Sequence, residues 1–278
     1  MSKSDGMYRF KVGNFDCTVF SDGIELQSDE ETPPLQFVNS TDEEVLATHR
    51  AYTEATGDPA SAFSMNVLMI DTGDHRVLVD TGCGPNSQRA GTGNLLGLLS
   101  DAGISTADID TVIITHGHWD HVDANTDGQG HPTFPNARYV ISDVEWSERT
   151  KEPNETDKKQ LLSIADRFEQ IPMDGEIVPG IQAIPVRGHT LGQIGLLIES
   201  NGERLLHTAD AFHHPVELYH PEWYFDFDAD PEATVSTRRR LLDMAAREHL
   251  PVVTYHLSFP GIGYIVSEGD HWTWRAKA

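Results

Sequence analysis

Between Thr115 and His121 the chain runs Thr-His-Gly-His-Trp-Asp-His, so His116, His118, Asp120 and His121 gather three imidazoles and a carboxylate within six residues. A polar loop with surface histidines is the ordinary alternative, but it leaves this density of metal-ligating groups unexplained. Neutral imidazole combined with carboxylate suits Zn²⁺ and its neighbours Fe, Mn and Co, whereas Ca²⁺ and Mg²⁺ recruit oxygen almost alone. The β-branched run Thr111-Val112-Ile113-Ile114 just before it has the composition of a buried strand. The ligands therefore sit on a loop leaving the C-terminal end of a strand, where α/β folds place their chemistry.

Three more candidates share that placement. His189 follows Ile181-Gln182-Ala183-Ile184-Pro185-Val186, Asp210 follows Arg204-Leu205-Leu206-His207, and His256 follows Pro251-Val252-Val253. What selects them among 14 histidines is position at a strand end; His49, His75, His131, His207, His220, His249 and His271 are taken as surface or core residues. If the strands lie side by side, their C-terminal loops converge on one edge, and seven ligands there can hold two divalent metals about 3.5 to 4 Å apart.

The order HxHxDH followed by a distant His, Asp and His resembles the metallo-β-lactamase superfamily, from about residue 8 to residue 276. The resemblance implies an α/β fold, an αββα sandwich of two mixed β-sheets flanked by helices. It also implies one metal on His116, His118 and His189, a second on Asp120, His121 and His256, and Asp210 bridging them. Within the superfamily, the segments 210–215, 223–228 and 256–263 are similar to the methyl parathion hydrolase-like branch and to the N-acyl homoserine lactone lactonases. This implies hydrolysis of lactones and esters, with phosphotriesters as a secondary activity. Departures are Asp123-Ala124 where many relatives carry Gly-Gly, Gly188-His189-Thr190-Leu191-Gly192-Gln193 in place of GHTPGH, and His213 where the lactonases carry a tyrosine.

The elements that must position these groups are partly legible. Residues 8–12 and 15–20 form a hairpin around Gly13-Asn14, an acidic loop occupies 28–34, and Thr41 with Glu44 caps a helix ending near residue 56. Strands 64–71 and 76–80 pair through Thr72-Gly73-Asp74, and the glycine-rich loop 82–93 lacks phosphate-binding spacing, which makes it a mobile wall of the site. A strand at 138–141 leads into a capping box at Ser142 to Glu145, and 155–171 has helical periodicity. Asn201-Gly202 joins strands 193–199 and 203–207, and 231–250 is the longest helix.

Because the ligands scatter from 116 to 256, a single domain over 1–278 must contain them. No apolar stretch approaches the roughly 18 to 20 residues of a membrane span and the first six residues have no apolar core, so a soluble cytoplasmic protein without a membrane partner is expected. Cys17 and Cys83 lack metal-type spacing and are expected as buried small residues. With 44 acidic against 20 basic residues the net charge is −24, which repels polyanions and disfavours a nuclease; Arg238-Arg239-Arg240 has the character of a solvated helix face.

Two divalent cations, expected as Zn²⁺ with Fe, Mn or Co as alternatives, would carry four positive charges, of which Asp120, Asp210 and a bridging hydroxide return three, leaving positive charge to stabilise an oxyanion. The expected reaction is attack on a neutral ester or lactone, with Asp120 and Asp210 holding the metals. His213, with His214 as a competitor, is expected to assist the substrate or leaving group. Phe212, Trp223, Tyr224, Phe225 and Phe259 are expected to line an apolar pocket. A homodimer is compatible with all of this. The alternatives are a mononuclear iron persulfide oxygenase of the same fold, a thioester hydrolase, or a non-catalytic metal-binding protein; metal content separates the oxygenase from the hydrolases.

Overall fold

A computed structural model describes residues 3–4, 6–26, 36–58 and 62–277; the acidic loop expected at 28–34 lies outside the described residues. Eight strands form one sheet in chain order: β1 (Lys3–Ser4), β2 (Met7–Val12), β3 (Phe15–Leu26), β4 (Ala62–Asp71), β5 (Arg76–Val79), β6 (Thr111–Ile113), β7 (Arg138–Ser142) and β8 (Phe168–Ile171). Seven form the other: β9 (Gly175–Val178), β10 (Ile181–Pro185), β11 (Ile194–Ser200), β12 (Glu203–His207), β13 (Pro251–Val253), β14 (Ile262–Glu268) and β15 (His271–Ala276). Both are mixed. The first is antiparallel from β1 to β5 and parallel from β5 to β8, while the second is antiparallel except where β12 and β13 run parallel.

Alternating side chains of the same strands feed different layers. Leu68, Ile70, Val77 and Val79 meet Ile181, Leu196, Ile198 and Val253 between the sheets, while Val67, Met69 and Leu78 face outward against Leu95 and Leu99 of helix α2 (Leu95–Asp101). Strands buried on both faces read as continuous apolar runs, as β4 and β5 do. On the outside of the second sheet, helix α7 (Pro231–Glu248) lays Leu241, Leu242 and Ala245 on Leu206, Val252 and Trp274. Helices thus flank two packed sheets.

Local chemistry accounts for several boundaries. Helix α1 (Asp42–Thr56) opens with Thr41 and Glu44 in a reciprocal capping box and closes at Gly57 with φ 71°. Asn201 and Gly202 hold φ of 49° and 78°, the conformation a two-residue hairpin turn requires.

Two expectations need correction. Residues 155–171 are not one helix: α5 (Glu155–Gln160) gives way to a 3₁₀ segment, Leu162–Arg167, with Ile164 at φ −124°, and then to strand β8. Pairing with β7, with Phe168 against Tyr139 and Trp146, outweighs helical periodicity. At the start of α4 (Asp143–Lys151), Ser142 does cap Glu145 N–H, but the Glu145 side chain is engaged elsewhere.

Candidate metal centre

The parallel strands point their C-terminal ends toward one edge, where the loop after β6 carries His116 and His118 and the one-turn helix α3 (Trp119–Val122) carries Asp120 and His121. His189 lies on the loop after β10, Asp210 on that after β12 and His256 on that after β13. All seven come together across both sheets. Three sets have ligand atoms within 4.8 Å of one another: His116, His118 and His189; His116, His121 and Asp210; Asp120, His121 and His256. A fourth set, His189, Asp210 and His213, adds an eighth donor that sequence reasoning assigned only to substrate assistance.

Asp210 Oδ2 is the hub. The Nε2 atoms of His256, His121, His189, His213 and His116 stand 3.1, 3.3, 3.5, 3.5 and 3.6 Å from it. Asp210 Oδ1 and His121 Nε2 are buried without a hydrogen-bond partner. Buried polar atoms left unpaired in this way are rare and costly, and an ion is what this donor set fits. Burial, followed by neighbouring imidazoles, holds His116 and His118 well below the usual histidine range, so their lone pairs are free to coordinate.

Each ring is oriented from behind. His121 Nδ1 meets Asp80 Oδ2 at 2.8 Å, and Asp80 also accepts the Thr115 amide and hydroxyl, each at 2.8 Å. His189 Nδ1 meets Asp228 Oδ1 at 3.1 Å, and His256 Nδ1 lies 3.0 Å from the Ser64 carbonyl. Such partners set which ring nitrogen faces the metal. Sequence reasoning passed over Asp80 and Asp228, which carry no motif; the available signal was Asp80 closing the run Val77-Leu78-Val79 beside the ligand-bearing strand. His207, read as an ordinary core or surface histidine, is fully buried, and burial pushes it down to about 4.

A cavity of about 330 Å³ opens over the cluster, walled by Phe63, Trp119, Phe225 and Phe227, with Arg89 and Glu25 at its rim. Arg89, from the glycine-rich loop, pairs with Glu25 at 2.8 Å and lies 4.1 Å over the Trp119 ring. His213 faces this cavity, with its Nδ1 3.7 Å from Glu217 Oε1. Burial would lower the His213 pKa, but Asp210 and Glu217 outweigh it and bring it to about 10, an effect that a bound cation would oppose. His214 instead sets its ring edge-on to His49 and accepts the Val216 amide.

Of the expected pocket aromatics, the structure brings only Phe225 to the cavity. Phe212 is fully buried in the core beneath α7, in the cluster of Leu206, Leu241 and Trp274 rather than at the metal edge. Trp223 stacks on His220 at 4.0 Å and packs with Phe37, while Tyr224 is bound through its backbone to Val38 and Asn39. Phe259 packs against the core between the sheets.

Known proteins resemble this chain in sequence and fold. An N-acyl homoserine lactonase of a Bacillus species is 28% identical over 163 residues, 58% of this chain and 60% of the relative, so the chain spans about three-fifths of that protein's length. Two solved structures align along almost the whole chain. AidC, a dizinc quorum-quenching lactonase in complex with a product, superposes with a TM-score of 0.83 at 23% identity, covering 98% of each chain. The hydrolase AbOPH of the beta lactamase superfamily gives 0.84 at 25% identity, covering 100% of this chain and 99% of that one. The family profile described as Metallo-beta-lactamase superfamily matches residues 61–256, and with ligand loops, two mixed sheets and profile in agreement, the chain belongs to that superfamily.

Proposed function

We propose that this chain, acting as one domain, is a metal-dependent hydrolase that holds two divalent ions, Zn²⁺ in the first instance, and cleaves lactones or neutral esters, with phosphotriesters as a weaker activity. The observation that carries this reading is a single buried carboxylate, Asp210, ringed by imidazoles beneath a cavity with aromatic walls. Lactonase relatives support the substrate class.

In this reading His116, His118 and His189 would hold one ion, Asp120, His121 and His256 would hold the other, and the Asp210 carboxylate would serve both. Bound ions supply polarisation of the scissile carbonyl and a nucleophile ionised near neutral pH. Asp80, Asp228 and the Ser64 carbonyl keep the imidazoles aimed inward, so little reorganisation is needed as charge develops. Phe63, Phe225 and Phe227 bind the apolar part of the substrate and exclude water from the reacting carbonyl. His213 Nε2, on the cavity side of Asp210, donates a hydrogen bond to the substrate or leaving-group oxygen, at the position where the lactonases it resembles carry a tyrosine.

The test is a panel of lactones, aryl esters, thioesters, phosphotriesters and phosphodiesters assayed with one metal-loaded preparation. The expected result is kcat/KM for some lactone or aryl ester at least roughly tenfold above any phosphodiester, about 1.4 kcal/mol of transition-state stabilisation. Equal or better turnover of phosphodiesters contradicts the reading.

A further inference from the structure

We propose that Glu145 is a positioning residue that sets the affinity of the His116, His118 and His189 donor set for its ion, by clamping together the two loops that carry those histidines. The inference rests on the metal-binding reading above. Glu145 is buried at 1% exposure in the first turn of α4. Its Oε1 accepts the amide N–H of Gly117, between His116 and His118, at 2.9 Å; its Oε2 accepts the hydroxyl of Thr190, directly after His189, at 2.5 Å. One carboxylate therefore bridges loops from different sheets.

The surroundings leave the clamp little freedom. Arg149 Nε donates to Glu145 Oε1 at 2.9 Å and supplies the compensating charge. That side chain lies over Gly117, where an added Cβ would stand 2.8 Å from Arg149 Nε. Ser142 Oγ donates to the Gly192 carbonyl at 2.6 Å, and a Cβ on Gly192 would stand 2.1 Å from the Glu145 amide nitrogen, so the second loop presses on the first turn of α4. The result is seen at the rings: His118 Nδ1 lies 3.0 Å from His116 Nε2 and 2.8 Å from His189 Nε2. Nitrogens on separate loops keep that spacing only if the loops are pinned, and preorganised donors bind an ion without the cost of ordering them. The His121 and His256 rings are oriented by Asp80 and the Ser64 carbonyl, so the effect should be selective for one ion.

The test compares the wild-type chain with Glu145→Gln, which keeps the shape but loses the charge, and Thr190→Val, which removes a single hydroxyl. Stepwise Zn²⁺ affinities come from competition with a chelating dye, and ¹⁵N-histidine spectra identify which rings respond. Glu145→Gln should weaken one Zn²⁺ affinity by about ten- to a hundredfold. Thr190→Val should weaken the same affinity by a smaller factor, with the ring shifts of His118 and His189 lost before those of His121 and His256. If Glu145→Gln does not fold, Thr190→Val alone decides. Unchanged affinities for both ions, with only a lower Tm of the metal-free protein, overturn the clamp. A wild-type chain that binds no Zn²⁺ overturns the metal reading itself, and the clamp with it.

Discussion

Asp210 shows how much one residue can decide. Burial raises its carboxyl pKa, but His121, His256 and His116 outweigh that and hold it well below the usual carboxylate range, so it is an anion in a crowd of imidazoles. Replacing it with asparagine keeps the volume and removes the charge that faces both donor sets. Asp210→Asn should lose one ion and lower kcat by at least about a hundredfold, as loss of a principal electrostatic group does. Metal analysis together with turnover checks this; two ions and near-normal kcat in the variant would show that the carboxylate does not bridge.

At the scale of elements, α7 does more than cover a sheet. From its inner face the fully buried Arg238 donates to the carbonyls of Ala211, Pro221 and Trp223, and its Nη2 pairs with Glu217 Oε1 at 2.7 Å. Glu217, on the short helix α6 (Val216–Tyr219), accepts the amides of His213 and His214 at 2.6 and 2.8 Å, so helix, loop and cavity wall are tied through one ion pair. Of the three-arginine run expected as a solvated face, only Arg239 and Arg240 are exposed, and Arg238 is buried. Breaking a buried pair strands its partner charge, so Arg238→Met should cost about 3 to 5 kcal/mol. Urea unfolding measures it; a loss below about 1 kcal/mol would mean that water reaches Glu217.

Over the whole molecule, charge and burial set the conditions under which the protein works. A net charge of −24 repels anions over a distance that shrinks to about 10 Å in 0.1 M salt. For an anionic ester kcat/KM should therefore rise as salt is added, while for a neutral ester of the same leaving group it should stay level; parallel salt profiles would remove charge as a filter on substrates. Cys17 and Cys83 are free and buried. Burial first, then Asp16, pushes the Cys17 thiol up to about 12, and burial with Asp22 and Asp120 raises Cys83 further. A disulfide-exchange reagent at pH 8 should leave both thiols untouched in the native protein and titrate both in urea. The sign follows for stability: the contribution of these neutral thiols is complete below the unfolded value of about 8.5 and is lost as pH rises from there towards 12, because the unfolded chain ionises first.

Some of this was decided locally, and there the sequence was sufficient. The ligands of one loop lie within six residues, the Thr41 and Glu44 box needs only three residues of helix, and Asn201-Gly202 closes a turn between adjacent strands. Each depends on short-range geometry that residue type determines. The apolar runs at strand ends likewise announced His189, Asp210 and His256. Other features belong to contacts between distant segments, and no periodicity encodes them. The break at Ile164 follows from β8 pairing with β7, the burial of Phe212 and exposure of Phe227 follow from which way a loop leaves the sheet, and the turn of the His213 ring to the cavity and of the His214 ring to His49 follows from packing against segments distant in the chain. Glu145 illustrates the difference: in sequence it is a helix cap three residues after Ser142, and only packing of the two sheets brings Gly117 and Thr190 to its two oxygens.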